Sequence, residues 1–146
     1  MIKIEEILAQ WKVDCVIDEL APHKSSVEAP ILHAKYLDIC TKYKFKSNKT
    51  LIKYNDMKKI RKEYYLGNLD KETLDEYSWE PFELKVGNKS NIDIYLEADP
   101  ILSKLLETIF YCNECVSTCN SIMKELNARS FQIKNWIEYQ KFLAGN

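Results

Sequence analysis

From Leu102 to Leu126 the chain places an apolar residue at every third or fourth position: Leu102, Leu105, Ile109, Cys112, Val116, Cys119, Met123 and Leu126. Steps of three and four that alternate without a break are presented on one side only by a helix. Asp99-Pro100 stands immediately before the run, an N-cap residue followed by proline at the first helical position, where its missing N–H costs nothing. Ile101, Leu106, Phe110 and Ile122 widen the stripe beyond a two-stranded seam. A face this broad is expected to be covered on several sides, as in a bundle or ring. Leu102, Leu105, Ile109, Val116, Met123 and Leu126 are therefore the expected oligomerisation residues, with a monomer's own core as the other use of the same stripe. Asn127–Ser130 is expected to end this helix, and residues 131–143 to form a last amphipathic one.

The rest of the chain reads as helical too, with one exception. Three glycines and four prolines in 146 residues leave few turns and favour long helices. Ile4, Ile7, Leu8 and Trp11 predict a short helix over 2–12. Ser26 is the expected N-cap of a second, 27–45, with Pro30 in its first turn. A third spans 48–66, with Tyr54, Met57, Ile60 and Tyr64 on its buried side and Gly67-Asn68 as its stop. In residues 81–97 the period changes to two. Phe82, Leu84 and Val86, then GNKSN, then Ile92, Ile94 and Leu96 predict a β-hairpin. The expected fold is mainly α with one small hairpin: an N-terminal region, 1–97, and a C-terminal helical oligomerisation region, 98–146.

Charge is distributed unevenly. The formal net charge is −1, yet residues 42–65 hold nine cations against two anions. Such a local field, with Tyr43, Phe45, Tyr54, Tyr64 and Tyr65 inside it, suits a polyanion with stackable faces, above all single-stranded nucleic acid. The lysine run has a plainer use as a solvated helix face. No glycine-rich phosphate loop, nucleophile elbow or H-E-x-x-H motif is present, so no enzymatic activity is expected. Cys112, Cys115 and Cys119 give C-x2-C-x3-C, but a second ligand pair is missing, and two of the three fall on the apolar stripe. Core packing is expected of them; no metal and no cofactor are. Five cysteines in all, an odd number, point to free thiols in a reducing compartment. No stretch approaches the ~20 apolar residues of a membrane span.

Two segments carry a resemblance. The ending RSFQIKNWIEYQKFLAGN, with Phe131, Ile133 and Lys134 leading to Phe142, Ala144 and Gly145, resembles that of the UvsY family of recombination mediators of T-even-type bacteriophages. KIRKEYYLG is similar to the family's basic Lys-Ala-Arg-Leu motif and its Tyr-Tyr-x-Gly sequel: Lys59 and Arg61 match the cations, Tyr64, Tyr65 and Gly67 the sequel, and Lys62 replaces the leucine. HAKYLDICTKYK resembles the family's second helix, whereas Leu69–Asn91 matches poorly.

The resemblance implies a non-enzymatic mediator in the cytoplasm of the infected host cell. It would form ring-like homo-oligomers largely through the C-terminal region, where Phe131, Ile133 and Trp136 join the stripe. It would bind single-stranded DNA, contact the phage single-strand-binding protein and the RecA-like recombinase, and promote loading of that recombinase onto coated DNA. Lys59 and Arg61 are the DNA contacts carried over. Lys58, Lys62, Lys53 and Lys49 add electrostatic support, with Tyr65 as a stacking candidate and Tyr64 assigned to the core. An oligomeric scaffold with protein partners only is the alternative, its acidic 66–99 region serving as the contact surface.

Overall fold

Five helices and no strand make up the described residues, 1–82 and 89–145, of the computed structural model. They are α1 (Ile4–Asp14), α2 (Pro22–Tyr65), α3 (Lys71–Tyr77), α4 (Lys89–Glu97) and α5 (Pro100–Leu143). Helices α2 and α5 are 44 residues each. The sequence predicts a break in both, near residue 47 and at Asn127–Ser130, and neither occurs. Lys46–Thr50 contains no glycine or proline, and the Thr50 hydroxyl turns back to donate to the Lys46 carbonyl at 2.8 Å. This i−4 bond leaves the helix intact. At the second position Arg129 is buried, and its Nη2 donates to the Asp14 carbonyl at 2.6 Å. That contact anchors α5 where local propensity alone would let it end. The start of α2 is also earlier than Ser26: Pro22 occupies the first position, and Pro30 lies well inside the helix.

The predicted hairpin is corrected. Its second strand, Ile92–Glu97, belongs to α4. Ile92 and Leu96 are buried, whereas Ile94 is 65% exposed. A strand would have turned all three to one face; a helix turns residues four apart together and the one between them away. Over six residues the two periods could not be separated by pattern. Leu84, Val86 and the first two residues of the expected turn, Gly87 and Asn88, lie outside the described residues.

Two compact units can be recognised, and the expected division at residue 97 coincides with neither boundary. Unit 1 comprises Met1–Phe45 and Cys112–Asn146, and unit 2 comprises Lys46–Tyr111. In unit 1, α1 and the adjoining parts of α2 and α5 enclose Ile7, Tyr36, Ile39, Cys40, Tyr43, Cys112, Cys115, Cys119, Ile122, Met123 and Leu126. Trp11 meets the edge of Tyr36 with ring centroids 5.8 Å apart. Asp14, at the end of α1, accepts from Lys35 Nζ at 2.7 Å and the Tyr36 hydroxyl at 2.8 Å.

Unit 2 has a smaller interior: Tyr65, Ile92, Leu96 and Leu102, flanked by Tyr54, Met57, Tyr64, Leu66, Phe82 and Tyr95. Here α2 ends as the sequence predicts. Gly67 takes φ +72°, and the Asn68 N–H reaches the Glu63 carbonyl at 3.0 Å, closing the orphan carbonyls of the last turn. Asp99 also acts as read: its Oδ1 accepts from the Ile101 and Leu102 amides, each at 2.9 Å, and opens α5.

Much of the apolar stripe of α5 is therefore used within the chain. Leu102, Ile109, Met123, Leu126 and Ile133 are buried, and Leu105, Val116 and Trp136 are half-buried. Leu102 packs with residues of α2 and α4, and Val116, Met123 and Leu126 with residues of α1 and α2, of the same molecule, a cover that a stripe cannot distinguish from the helices of a neighbouring subunit. Of the expected oligomerisation residues only Phe131 is openly exposed, at 65%.

Candidate nucleic-acid interface

The unit 2 part of α2 carries the basic segment. Lys49, Lys53, Lys58, Lys59 and Lys62 are all exposed. Lys58 Nζ lies 5.9 Å from the centre of the Tyr54 ring. Lys49, Lys53, Lys59 and Lys62 have no ion-pair partner among the described residues. Lys59 and Lys62 are three apart and Lys49 and Lys53 four apart, so each pair shares a face of the helix. The ammonium groups are thus free to meet an external polyanion. Lys42, in unit 1, differs: its Nζ pairs with Asp38 at 2.6 Å.

Arg61 is placed quite otherwise. Residues two apart on a helix point in nearly opposite directions, about 160° apart, so when Lys59 faces out, Arg61 faces in. Arg61 is buried, and its Nε donates to Asp99 Oδ2 at 2.6 Å, while Nη2 donates to the Tyr65 hydroxyl at 3.1 Å. Tyr65 in turn donates to the same Asp99 oxygen at 2.6 Å. The guanidinium carbon sits 4.2 Å from the Tyr64 ring centre, 4.5 Å from Trp79 and 5.0 Å from Tyr65. Tyr64 is itself fixed by donating to the Glu80 carbonyl at 2.7 Å.

These contacts leave Arg61 without a free face for phosphate, contrary to the expectation that it contacts DNA directly. Of the two tyrosines, Tyr64 packs against the unit 2 core as expected, and Tyr65 is not placed for stacking. Tyr65, the expected stacking residue, is the buried one, with its ring edge on Phe82 at 5.0 Å. Tyr64 is half-buried.

The electrostatics fit an internal pair. Burial acts to raise the Asp99 pKa, but hydrogen bonds from Tyr65, the Leu102 amide and Arg61, with the charge of Arg61, hold it below the ordinary 3.8. Burial, and the hydrogen bond it donates to Asp99, raise the Tyr65 phenol. The ion pair is thus charged at neutral pH and electrically closed.

The thiols form no comparable site. Cys112, Cys115 and Cys119 lie in the unit 1 core with no exposed surface. Burial, with Cys40 and Cys115 nearby, pushes the Cys119 thiol up to about 11, which leaves little thiolate for reaction. Among the described residues no group of three or more His, Cys, Asp or Glu side chains is arranged to hold a metal ion. None of the described helices is long and apolar enough to cross a membrane.

The family model for the recombination, repair and ssDNA-binding protein UvsY matches residues 10–146. The chain belongs to the UvsY family. Family membership makes it a recombination, repair and ssDNA-binding protein. No curated protein sequence matches it.

The fold agrees with that of the bacteriophage T4 recombination mediator protein UvsY in several crystal forms. One aligns with a TM-score of 0.82 at 20% identity over 99% of both chains. A second gives 0.84 at 19% identity over 97% of this chain and 99% of the other. The UvsY resemblance read from Lys59, Arg61 and the C-terminal ending thus leads to the right family. Sequence reading did miss Asp99 as the partner of Arg61, and Trp79 as a wall of its pocket. The spacing of two between Lys59 and Arg61 was the available signal, since a helical motif cannot aim both residues outward.

Proposed function

We propose that this chain is a phage recombination mediator that binds single-stranded DNA as a ring-like homo-oligomer. In that role it promotes loading of a RecA-like recombinase onto DNA coated by single-strand-binding protein, in the cytoplasm of the infected host cell. The observation that carries the DNA-binding part is the row of exposed, unpaired lysines on α2 in a member of an ssDNA-binding family. Lys59 and Lys62 supply the central phosphate contacts, and Lys58, Lys53 and Lys49 the surrounding field. A single chain offers a small patch, so repetition around an oligomer would multiply its contacts.

For subunit contact, the end of α5 is the supporting feature. Phe131 is 65% exposed, Tyr139 57% and Phe142 74%, and helical geometry sets the three within about a quarter turn of one another. Apolar side chains grouped in this way mark interaction surfaces.

Filter binding of oligo-dT across a salt series tests the site. Lys59→Ala with Lys62→Ala should weaken binding and lower the log–log salt slope by roughly 0.7 for each phosphate no longer neutralised. An unchanged slope would remove these lysines from the site. No retention by the parent protein at low salt would favour a scaffold that binds proteins only. Solution mass with and without the oligonucleotide tests the assembly, and a monomer in both states would end the ring proposal.

A further inference from the structure

Within unit 2, the side of α2 opposite Lys59 is clamped with unusual completeness. Arg61 reaches Asp99 at 2.6 Å and the Tyr65 hydroxyl at 3.1 Å, and both Arg61 and Tyr65 lie on α2. Asp99 belongs to the start of α5, where its other oxygen holds the Ile101 and Leu102 amides. Trp79, just beyond α3, closes over the guanidinium at 4.5 Å. Three stretches of chain thus converge on one side chain, and the contacts that leave α2, from Arg61 and Tyr65 to Asp99 and from Arg61 to Trp79, constrain the rotation of α2 about its own axis. That rotation decides where Lys59 and Lys62 point, because side-chain direction on a helix follows from its angular setting.

We infer that Arg61 is a positioning residue for single-strand binding: locked to Asp99 and Tyr65, it sets the outward angle of Lys59 and Lys62 and touches no phosphate itself. This rests on the DNA-binding reading, and it changes the role of the motif's arginine. A guanidinium that meets phosphate would be held back by the carboxylate beside it, so freeing it from Asp99 should tighten binding. A guanidinium that orients the helix loses its purpose when Asp99 is neutralised.

The two roles therefore give opposite signs for Asp99→Asn. Oligo-dT binding by the full chain, over a salt series, separates them. Positioning predicts that Asp99→Asn weakens binding, and that Arg61→Lys does so on the order of tenfold despite keeping the charge, since lysine cannot reproduce a fork stacked between rings. Both should leave the salt slope at the parent value, and the double variant should be no worse than the poorer single one.

Tyr65→Phe removes one hydroxyl that touches both partners and disturbs packing least, so it serves where the other variants fail to fold. In folded Tyr65→Phe protein, shown by unchanged circular dichroism, affinity should drop several-fold at constant slope. A residue that only held the fold would leave that affinity at the parent value, which would overturn the inference. Tighter binding by Asp99→Asn, or a lower slope in Arg61→Lys, would overturn it too.

Lys59→Ala is the control for the reading underneath, with a slope lower by about 0.7. If that slope falls while the Arg61 outcomes fail, the DNA site stands and the positioning role goes. If the parent binds no oligo-dT, both fall together.

Discussion

Unit 1 encloses aliphatic side chains, Tyr36, Tyr43 and four buried thiols, whereas unit 2 sets Tyr64, Tyr65 and Trp79 about a buried ion pair beside a small aliphatic core. Each nevertheless holds a carboxylate that accepts a tyrosine hydroxyl and a cation. Asp14 does so at the rim, against a Lys35 side chain that is 37% exposed; Asp99 does so with no exposure at all. A carboxylate, a phenol and a cation therefore carry different weight in the two units. A rim pair in water contributes about 0–1 kcal/mol. A buried pair is costly to break because the surviving charge has no solvent to return to. Unit 1 relies on the amount of apolar surface it hides, and unit 2 on the completeness of one polar cluster.

The contrast can be broken most sharply from the unit 2 side. Asp99→Ala strands the Arg61 charge and removes the N-cap of α5, and is expected to cost about 3–5 kcal/mol. Trp79 is the only tryptophan of unit 2, Trp11 and Trp136 both belonging to unit 1. Its fluorescence during denaturation, with the other two replaced by phenylalanine, should report the loss. Unit 1 meets its counterpart in Ile7→Ala, which opens a cavity in the apolar core and should cost about 2–4 kcal/mol. That loss should appear in Trp11 fluorescence.

Acid titration is the gentlest probe. Asp99 and Asp14 both sit below the ordinary 3.8 in the folded chain. Each therefore contributes stability that is present above pH 3.8 and disappears as the pH falls through its lower folded value. Denaturation midpoints should fall in strongly acidic buffer, and replacing either carboxylate by its amide should reduce that dependence. A midpoint that stays constant on acidification would show that neither carboxylate is linked to folding.

Much of this arrangement was legible in the sequence. Ile4–Trp11 gave the first helix, Asp99-Pro100 the start of α5, and Gly67 the end of α2, because caps and short periods are local properties. What was not legible was decided by contacts far apart in the chain. Arg129 on Asp14 holds α5 through a stretch that reads as a break. Ile92 and Leu96 on the unit 2 core settle a period that six residues leave open.

The lysines of the candidate site were found by charge alone. The burial of Arg61 was not legible that way, because charge was counted without angular position on the helix. The stripe on α5 was read correctly as apolar, but which molecule covers it is not a property of one strip of sequence.

The two oxygens of Asp99 have different obligations: Oδ1 serves the amides of α5 and Oδ2 serves Arg61 and Tyr65. Serine, threonine and asparagine can perform the first task, but none can neutralise a guanidinium. Position 99 is thus closed to exchanges that any ordinary helix start would tolerate. Through divergence the acid and the arginine should behave as one inherited unit. A relative with serine in place of Asp99 should also have an uncharged residue in place of Arg61, while its lysines remain free to wander along the outer face.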